Sequence, residues 1–278
     1  MSDVKLGDYR KILISMGLST KLKAFKAMRQ MDNGWQLLLN RIVFPNEPIQ
    51  MCRYKGLEFI TDLAGGDANG ARELLTSDEY RRFFPELQFS GPISVLDIGA
   101  NNGGFPLLLA SEGYQIDKLA CVELNPVTAS RLEYNVTRNF GEAATIVNAA
   151  ISGDEREIPL PETRGRTSEN IYTGKRPETK TSVRGTTLDL LIEALFGDEE
   201  IDLCKIDIEG AEFEIFKSGN CDRVKQCRNV LVEIHHFPDS PRKLVIDEIS
   251  ALGFGEVEIE THDDDGHYLH LFKRSDLV

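Results

Sequence analysis

The chain has 278 residues, 41% of them hydrophobic and 28% charged, enough for one large globular domain with an extension. A net charge of −13 argues against non-specific nucleic-acid binding, because phosphates would be repelled over most of the surface. No apolar run reaches the roughly 18–20 residues of a membrane span.

The N-terminal stretch MSDVKLGDYRKILISMG lacks a secretory pattern. Five cysteines (Cys52, Cys121, Cys204, Cys221 and Cys227) form no CxxC pair, which predicts a reduced, cytoplasmic setting.

Residues 1–90 are expected to form a mainly helical extension, with breaks at Pro45, Pro48, Gly65-Gly66 and Pro85. Ser19 can cap a helix through Leu22, Phe25, Met28 and Trp35, its basic face packing on the acidic body. Residues 91–278 change character. Short apolar runs (ISVLDI, LACVEL, ATIVNAAI, IDLCKIDI and NVLVEIHH) alternate with segments of helical period. Such runs predict an α/β domain whose mostly parallel sheet is covered on both faces. EVEIET and HYLHLFKR flank the turn THDDDG and read as a final antiparallel pair. His262, Asp263, Asp264, Asp265 and His267 around that turn resemble a metal string but are read as a solvated hairpin. Residues 152–182 are polar and rich in turn formers, as expected of a lid or substrate insertion. Its Arg164, Arg166, Lys175 and Arg176 are then available to an acceptor.

The run VLDIGANNGGF turns from a strand into a helix through Gly99, Asn101, Gly103 and Gly104. A dinucleotide fingerprint requires glycine at position 101, where this chain has Asn. Instead, Asp97 at the strand end suits the cationic methionine portion of S-adenosylmethionine (SAM), and glycine backbone leaves room for the ligand. Glu123, at the end of the next apolar run, is placed to accept hydrogen bonds from ribose hydroxyls.

Further along, KIDIEGAE places Lys205, Asp207 and Glu209 on one face if extended. Asp207 falls at the carboxyl end of a central strand, beside the expected crevice. Buried Lys205 needs an acid, for which Glu233 is a candidate. Glu212 and Glu214 are read only as acids favoured in the first turns of a helix. His235 and His236 end the following strand, and His235 shares its face with Glu233.

VLDIGANNGGF, VELNP, NAAISG, TTLDLL, IDLCKIDIEGAEFEIF and VLVEIHH, in that order over residues 93–236, resemble FkbM-type SAM-dependent methyltransferases. The resemblance implies a Rossmann-like class I methyltransferase fold: a seven-stranded, mostly parallel sheet with an antiparallel last strand. It implies O-methylation of a hydroxyl on a sugar or secondary metabolite, with SAM as cofactor. The expected cofactor contacts are Asp97, Gly99, Asn101, Gly103, Glu123, Leu124 in VELNP, Ala149 in NAAISG, and Asp207. Asp207 and His235 are the expected catalytic residues, His235 as general base, with Glu209 and His236 toward the acceptor. A divalent cation held by Asp207 with Glu233 or His236 remains an alternative to the base. A nicotinamide oxidoreductase and a non-catalytic interaction module also remain open. The expected partner is a small hydroxylated acceptor, not nucleic acid or a membrane, and homo-oligomers are compatible with the sequence.

Overall fold

The computed structural model describes residues 25–44, 46–65, 70–160, 181–235, 241–258 and 267–277. Seven strands form the central sheet: β3 (Ile93–Ile98), β4 (Ile116–Glu123), β5 (Ala144–Asn148), β9 (Ile201–Ile206), β10 (Cys227–His235), β11 (Phe254–Val257) and β12 (His267–Arg274). Their order is β11-β12-β10-β9-β3-β4-β5, and β12 is antiparallel to both of its neighbours. The remaining pairings are parallel. The Rossmann-like, class I methyltransferase arrangement expected from the sequence is the one observed. β3 lies mid-sheet; the chain winds outward to β5, then returns to β9 on the other side of β3. That reversal opens a crevice at the carboxyl ends of β3 and β9, the place where open α/β sheets bind ligands.

Side-chain alternation assigns the strands to two cores. Leu96, Ile98, Cys204, Ile206, Val230 and Val232 point to one face. There they meet α5 (Leu188–Phe196), α6 (Glu212–Ser218) and α7 (Arg242–Ala251). Val95, Leu119, Cys121, Leu203, Leu231 and Leu271 point to the other face, covered by α3 (Gly104–Ser111) and α4 (Pro126–Phe140). Because both faces are dry, truncating a side chain such as Leu96 to Ala costs about 2–5 kcal/mol. α4 starts where it does because the Asn125 side chain accepts hydrogen bonds from the backbone N–H groups of Val127 and Thr128, with Pro126 in the first turn.

The extension contains helix, as expected: residues 25–30, α1 (Gly34–Val43) and α2 (Ala71–Thr76). It also contains an antiparallel hairpin, β1 (Ile49–Tyr54) and β2 (Leu57–Asp62), which the helical reading misses. Its turn, Lys55-Gly56, has positive φ at both residues (48° and 82°), the backbone that matches strand twist in a two-residue turn. Helical period gives way earlier too. The chain turns at residues 31–33, so Trp35 leaves the face of Met28 and stands 82% exposed, while Met28 is buried.

The hairpin is fastened to the glycine turn by one side chain. Asn135 on α4 accepts from the Ile60 N–H (2.7 Å) and donates to the carbonyls of Ile60 (3.1 Å) and Asn102 (2.7 Å). Asn102 in turn accepts from the Ala71 N–H at 2.8 Å, drawing α2 onto the same turn.

A three-stranded sheet, β6 (Ala150–Ile151), β8 (Thr181–Thr186) and β7 (Arg156–Leu160), frames the insertion. Ile158, Leu160 and Val183 bury against Ala150, so the edges of the polar stretch are ordered strand. Arg164, Arg166, Lys175 and Arg176 lie outside the described residues, as do His236 and the THDDDG turn. Among the described residues no helix is long and apolar enough to cross a membrane.

Candidate functional site

The turn after β3 is fixed by contacts to its neighbours. The N–H groups of Gly99 and Ala100 both donate to the Val122 carbonyl, at 3.0 and 2.9 Å. Asn101 has φ 51°, a left-handed conformation that Asn tolerates, and its N–H donates to Glu123 Oε2 at 2.9 Å. Glu123 Oε1 accepts the Asn125 N–H at 2.8 Å. Glu123 therefore joins the two βα turns, while capping of α4 falls to Asn125.

The glycines have other work than making space for a ligand. Gly99 has φ 74°, and a Cβ there would lie 1.7 Å from the Asp207 carbonyl oxygen. Gly103 (φ 89°) forms the left-handed N-cap of α3, facing Leu132 and Val136.

A cleft opens above these turns. Ile98, Gly99, Asn101, Glu123, Leu124, Ala149, Asp207 and Glu209 contribute to its wall. The structure thus gathers Gly99, Asn101, Glu123, Leu124, Ala149, Asp207 and Glu209 from four separate segments, as the sequence anticipates. Asp97 and Gly103 are not among its lining residues. Asp97 is fully buried with both carboxylate oxygens sealed, so direct contact with a ligand does not follow from this geometry.

Beneath the cleft floor Asp97 faces Lys205, with Nζ to Oδ1 at 3.4 Å. The same ammonium lies 3.3 Å from Asp207 Oδ2 and donates to the Gly99 carbonyl at 3.2 Å. The close partners of Lys205 are thus Asp97 and Asp207, in place of the expected Glu233. Burial pushes the Asp97 carboxyl above the usual carboxylate range, and Lys205 pulls it back. For Lys205 burial opposes the charge, but the fields of Asp97, Asp207 and Glu233 outweigh it and hold the ammonium protonated. β9 ends at Ile206, so Asp207 and Glu209 follow the strand; Glu209 turns back at φ 54°. A left-handed non-glycine residue carries about 1–3 kcal/mol of strain, which marks this corner as constrained.

Glu212 departs most from its sequence reading. Its carboxylate is fully buried; Oε1 accepts the Ile208 N–H at 3.3 Å and stands 3.0 Å from His235 Nδ1. His235 Nε2 lies 3.4 Å from Glu209 Oε2 and 3.9 Å from Glu233 Oε1. Burial disfavours charge on the imidazole, but Glu212, Asp207 and Glu233 prevail and raise its pKa to about 9. A ring raised this far holds its proton at neutral pH, so the geometry does not favour the general base expected of it. Burial, aided by Asp207, raises the Glu233 carboxyl to about 8, and the Tyr80 hydroxyl donates to Glu233 Oε2 at 3.3 Å. Tyr80, Glu212 and Glu233 belong to this cluster although the sequence singled out neither the Tyr nor Glu212. Glu209 is also raised by burial, against the pull of His235, and its side chain is 29% exposed to the cleft.

Among solved structures, the chain is similar to the methyltransferase FkbM of Methylobacillus flagellatus KT (17% identity, TM-score 0.48, 67% of this chain and 44% of that one). It is also similar to Trm5b of Pyrococcus abyssi (13%, TM-score 0.46, 82% and 56%). A third is the precorrin-6y C5,15-methyltransferase of Geobacter metallireducens GS-15 (15%, TM-score 0.42, 73% and 92%). The chain spans less than half the length of the first of these. No curated protein matches it. The Methyltransferase FkbM domain matches residues 97–263, more than half of the chain and the whole of the cleft. The chain belongs to the FkbM methyltransferase family.

Proposed function

We propose that the protein transfers the methyl group of SAM to a hydroxyl oxygen of a small acceptor. The observation that carries this reading is the charge of the cleft. Its lining includes three carboxylates, Glu123, Asp207 and Glu209, and no Lys, Arg or His among the described residues. A dinucleotide would bring its pyrophosphate into that field, with no basic side chain in the described lining to pair with it. SAM carries a sulfonium and an ammonium, which the same field favours. Each Glu123 oxygen accepts a backbone N–H, and the carboxylate lines the cleft where a ribose diol would lie.

In the transfer, an acceptor oxygen attacks the sulfonium methyl carbon as the C–S bond breaks, leaving a neutral thioether. The hydroxyl proton must leave as the O–C bond forms. Glu209 is our candidate to take it: a carboxyl in the cleft, raised by burial and 3.4 Å from His235 Nε2. Asp207, held by Lys205, orients the cationic part of the cofactor or the acceptor. Residues 91–278 supply this activity, with the polar insertion at 152–182 as the candidate acceptor-binding segment and residues 1–90 as the extension.

Calorimetry on the purified chain tests the cofactor: SAM and S-adenosylhomocysteine should bind with micromolar affinity, on the order of −8 kcal/mol. Heat with NADH and none with SAM would replace the reading by a nicotinamide one. Incubation with SAM and hydroxylated acceptors should give products heavier by one methyl group. Amine products without any oxygen-methylated ones would overturn the acceptor class.

A further inference from the structure

We infer that Asp207, Glu233 and His235 form a divalent-cation site at the inner end of the cleft. One ligand atom from each lies within 4.8 Å of the other two. Three ligand atoms bound to one ion at about 2.1 Å lie roughly 3.0–3.6 Å apart, so the three side chains must close by on the order of 1 Å to complete the set.

A second observation concerns what holds these side chains. Each is fastened by a buried neighbour. Lys205 pairs with Asp207 Oδ2, the Tyr80 hydroxyl donates to Glu233 Oε2, and Glu212 Oε1 holds His235 Nδ1. With Nδ1 committed to a carboxylate, Nε2 is the ring atom that faces Glu209 and Glu233. A carboxylate behind a ligating imidazole and a fixed outer oxygen on a ligating carboxylate are how metal centres orient their ligands.

Charge points the same way. Five carboxyl groups (Asp97, Asp207, Glu209, Glu212 and Glu233) meet around two basic side chains, Lys205 and His235. A divalent ion would take the place of the imidazole proton, and in the loaded form the ion, rather than Glu209 backed by protonated His235, would activate the acceptor. One nitrogen and two carboxylate oxygens suit Mn²⁺, with Mg²⁺ or Zn²⁺ as neighbouring choices. Asp207 also lines the cofactor cleft, so the ion would sit where an acceptor hydroxyl meets the methyl donor. It would lower the pKa of that hydroxyl. This role rests on the methyl-transfer reading; the site itself does not.

The test uses the full chain stripped with EDTA and titrated with Mn²⁺ by electron paramagnetic resonance. One equivalent should bind, with nitrogen coupling from an imidazole in the pulsed spectrum. His235→Gln should abolish that coupling, and Glu233→Gln should weaken binding about ten-fold or more. Glu212→Gln, which touches the ring only from behind, should weaken it about 10–100-fold. Cooperative melting of each variant shows that it folds. No uptake at millimolar Mn²⁺ by the wild type, or uptake unchanged in both His235→Gln and Glu233→Gln, overturns the site. SAM binding is measured separately in EDTA. Heat from SAM without Mn²⁺ uptake removes the metal alone, and Mn²⁺ uptake without SAM heat removes the cofactor reading alone.

Discussion

Lys205→Met would remove the ammonium while keeping the length of the side chain. Lys205 is 3% exposed, and its Nζ lies within 3.4 Å of Asp97 Oδ1 and 3.3 Å of Asp207 Oδ2. Asp97 is fully buried with both oxygens sealed from solvent, and Lys205 is the cation that faces it. Taking one partner from a buried pair typically costs about 3–5 kcal/mol, because the other charge stays in the dry interior. For a chain of this size that corresponds to a fall in Tm of roughly 10 °C.

The penalty must also depend on pH. The folded-state pKa of Asp97 already lies above its unfolded value. Such a group contributes stability that is fully present below the unfolded pKa and is lost as pH rises through the folded pKa. Without Lys205 the folded pKa climbs further and the loss continues to higher pH. The gap between wild type and variant should therefore be small near pH 4 and widest at pH 8. Adding Asp97→Asn should recover most of it, since a neutral amide needs no counter-charge. Urea midpoints for the four proteins at both pH values supply the cycle. A gap that is flat with pH, or a double variant no more stable than Lys205→Met, would refute the pairing.

Three further outcomes are expected. Gly99→Ala should lower stability by about 2–5 kcal/mol, from a left-handed φ and a Cβ 1.7 Å from the Asp207 carbonyl oxygen; an unchanged urea midpoint would mean that β9 ends elsewhere. Glu123→Ala should weaken SAM binding by about 1.5–3 kcal/mol in calorimetry, and unchanged affinity would leave Glu123 only its contacts with Asn101 and Asn125. Asn135→Ala leaves the Ile60 N–H and the Asn102 carbonyl without their partner, so it should cost about 1–3 kcal/mol. Limited proteolysis should then cut first in the β1–β2 hairpin, and unaltered cutting would mean that other contacts fasten it.

The sheet was legible because its strands are buried on both faces, which leaves near-continuous apolar runs such as ISVLDI and IDLCKIDI. The β1–β2 hairpin was harder to see. One face of it meets solvent, its six-residue strands carry Arg53 and Glu58, and prolines nearby read as helix breaks. The signal available was the alternation in IQMCRY-KG-LEFITD, with Cys52, Phe59 and Thr61 buried around a Lys-Gly turn. Trp35 misled in the opposite way. Periodicity places it on the face of Met28, but the chain breaks at residues 31–33 and starts a new helix at Gly34.

Within the site, the legible residues were those whose role follows from position in a strand. Glu123 and Asp207 end or immediately follow β4 and β9, and topology alone carries them to the cleft. Glu212 illustrates what sequence conceals. An acid in the first turn of a helix has an ordinary explanation in the helix dipole, and nothing local distinguishes a solvated one from a buried one. The difference arises from β10, 23 residues later, which brings His235 to within 3.0 Å of Glu212 Oε1. That contact changes the chemistry expected of the histidine, since the field of a buried carboxylate favours the protonated ring. Tyr80 reaches Glu233 across 153 residues, from a segment outside the FkbM match. The shared domain thus provides the cleft, whereas one contact that orients Glu233 comes from the extension. Differences in this contact between members of the family would alter the site while leaving the glycine turn and the strand ends intact.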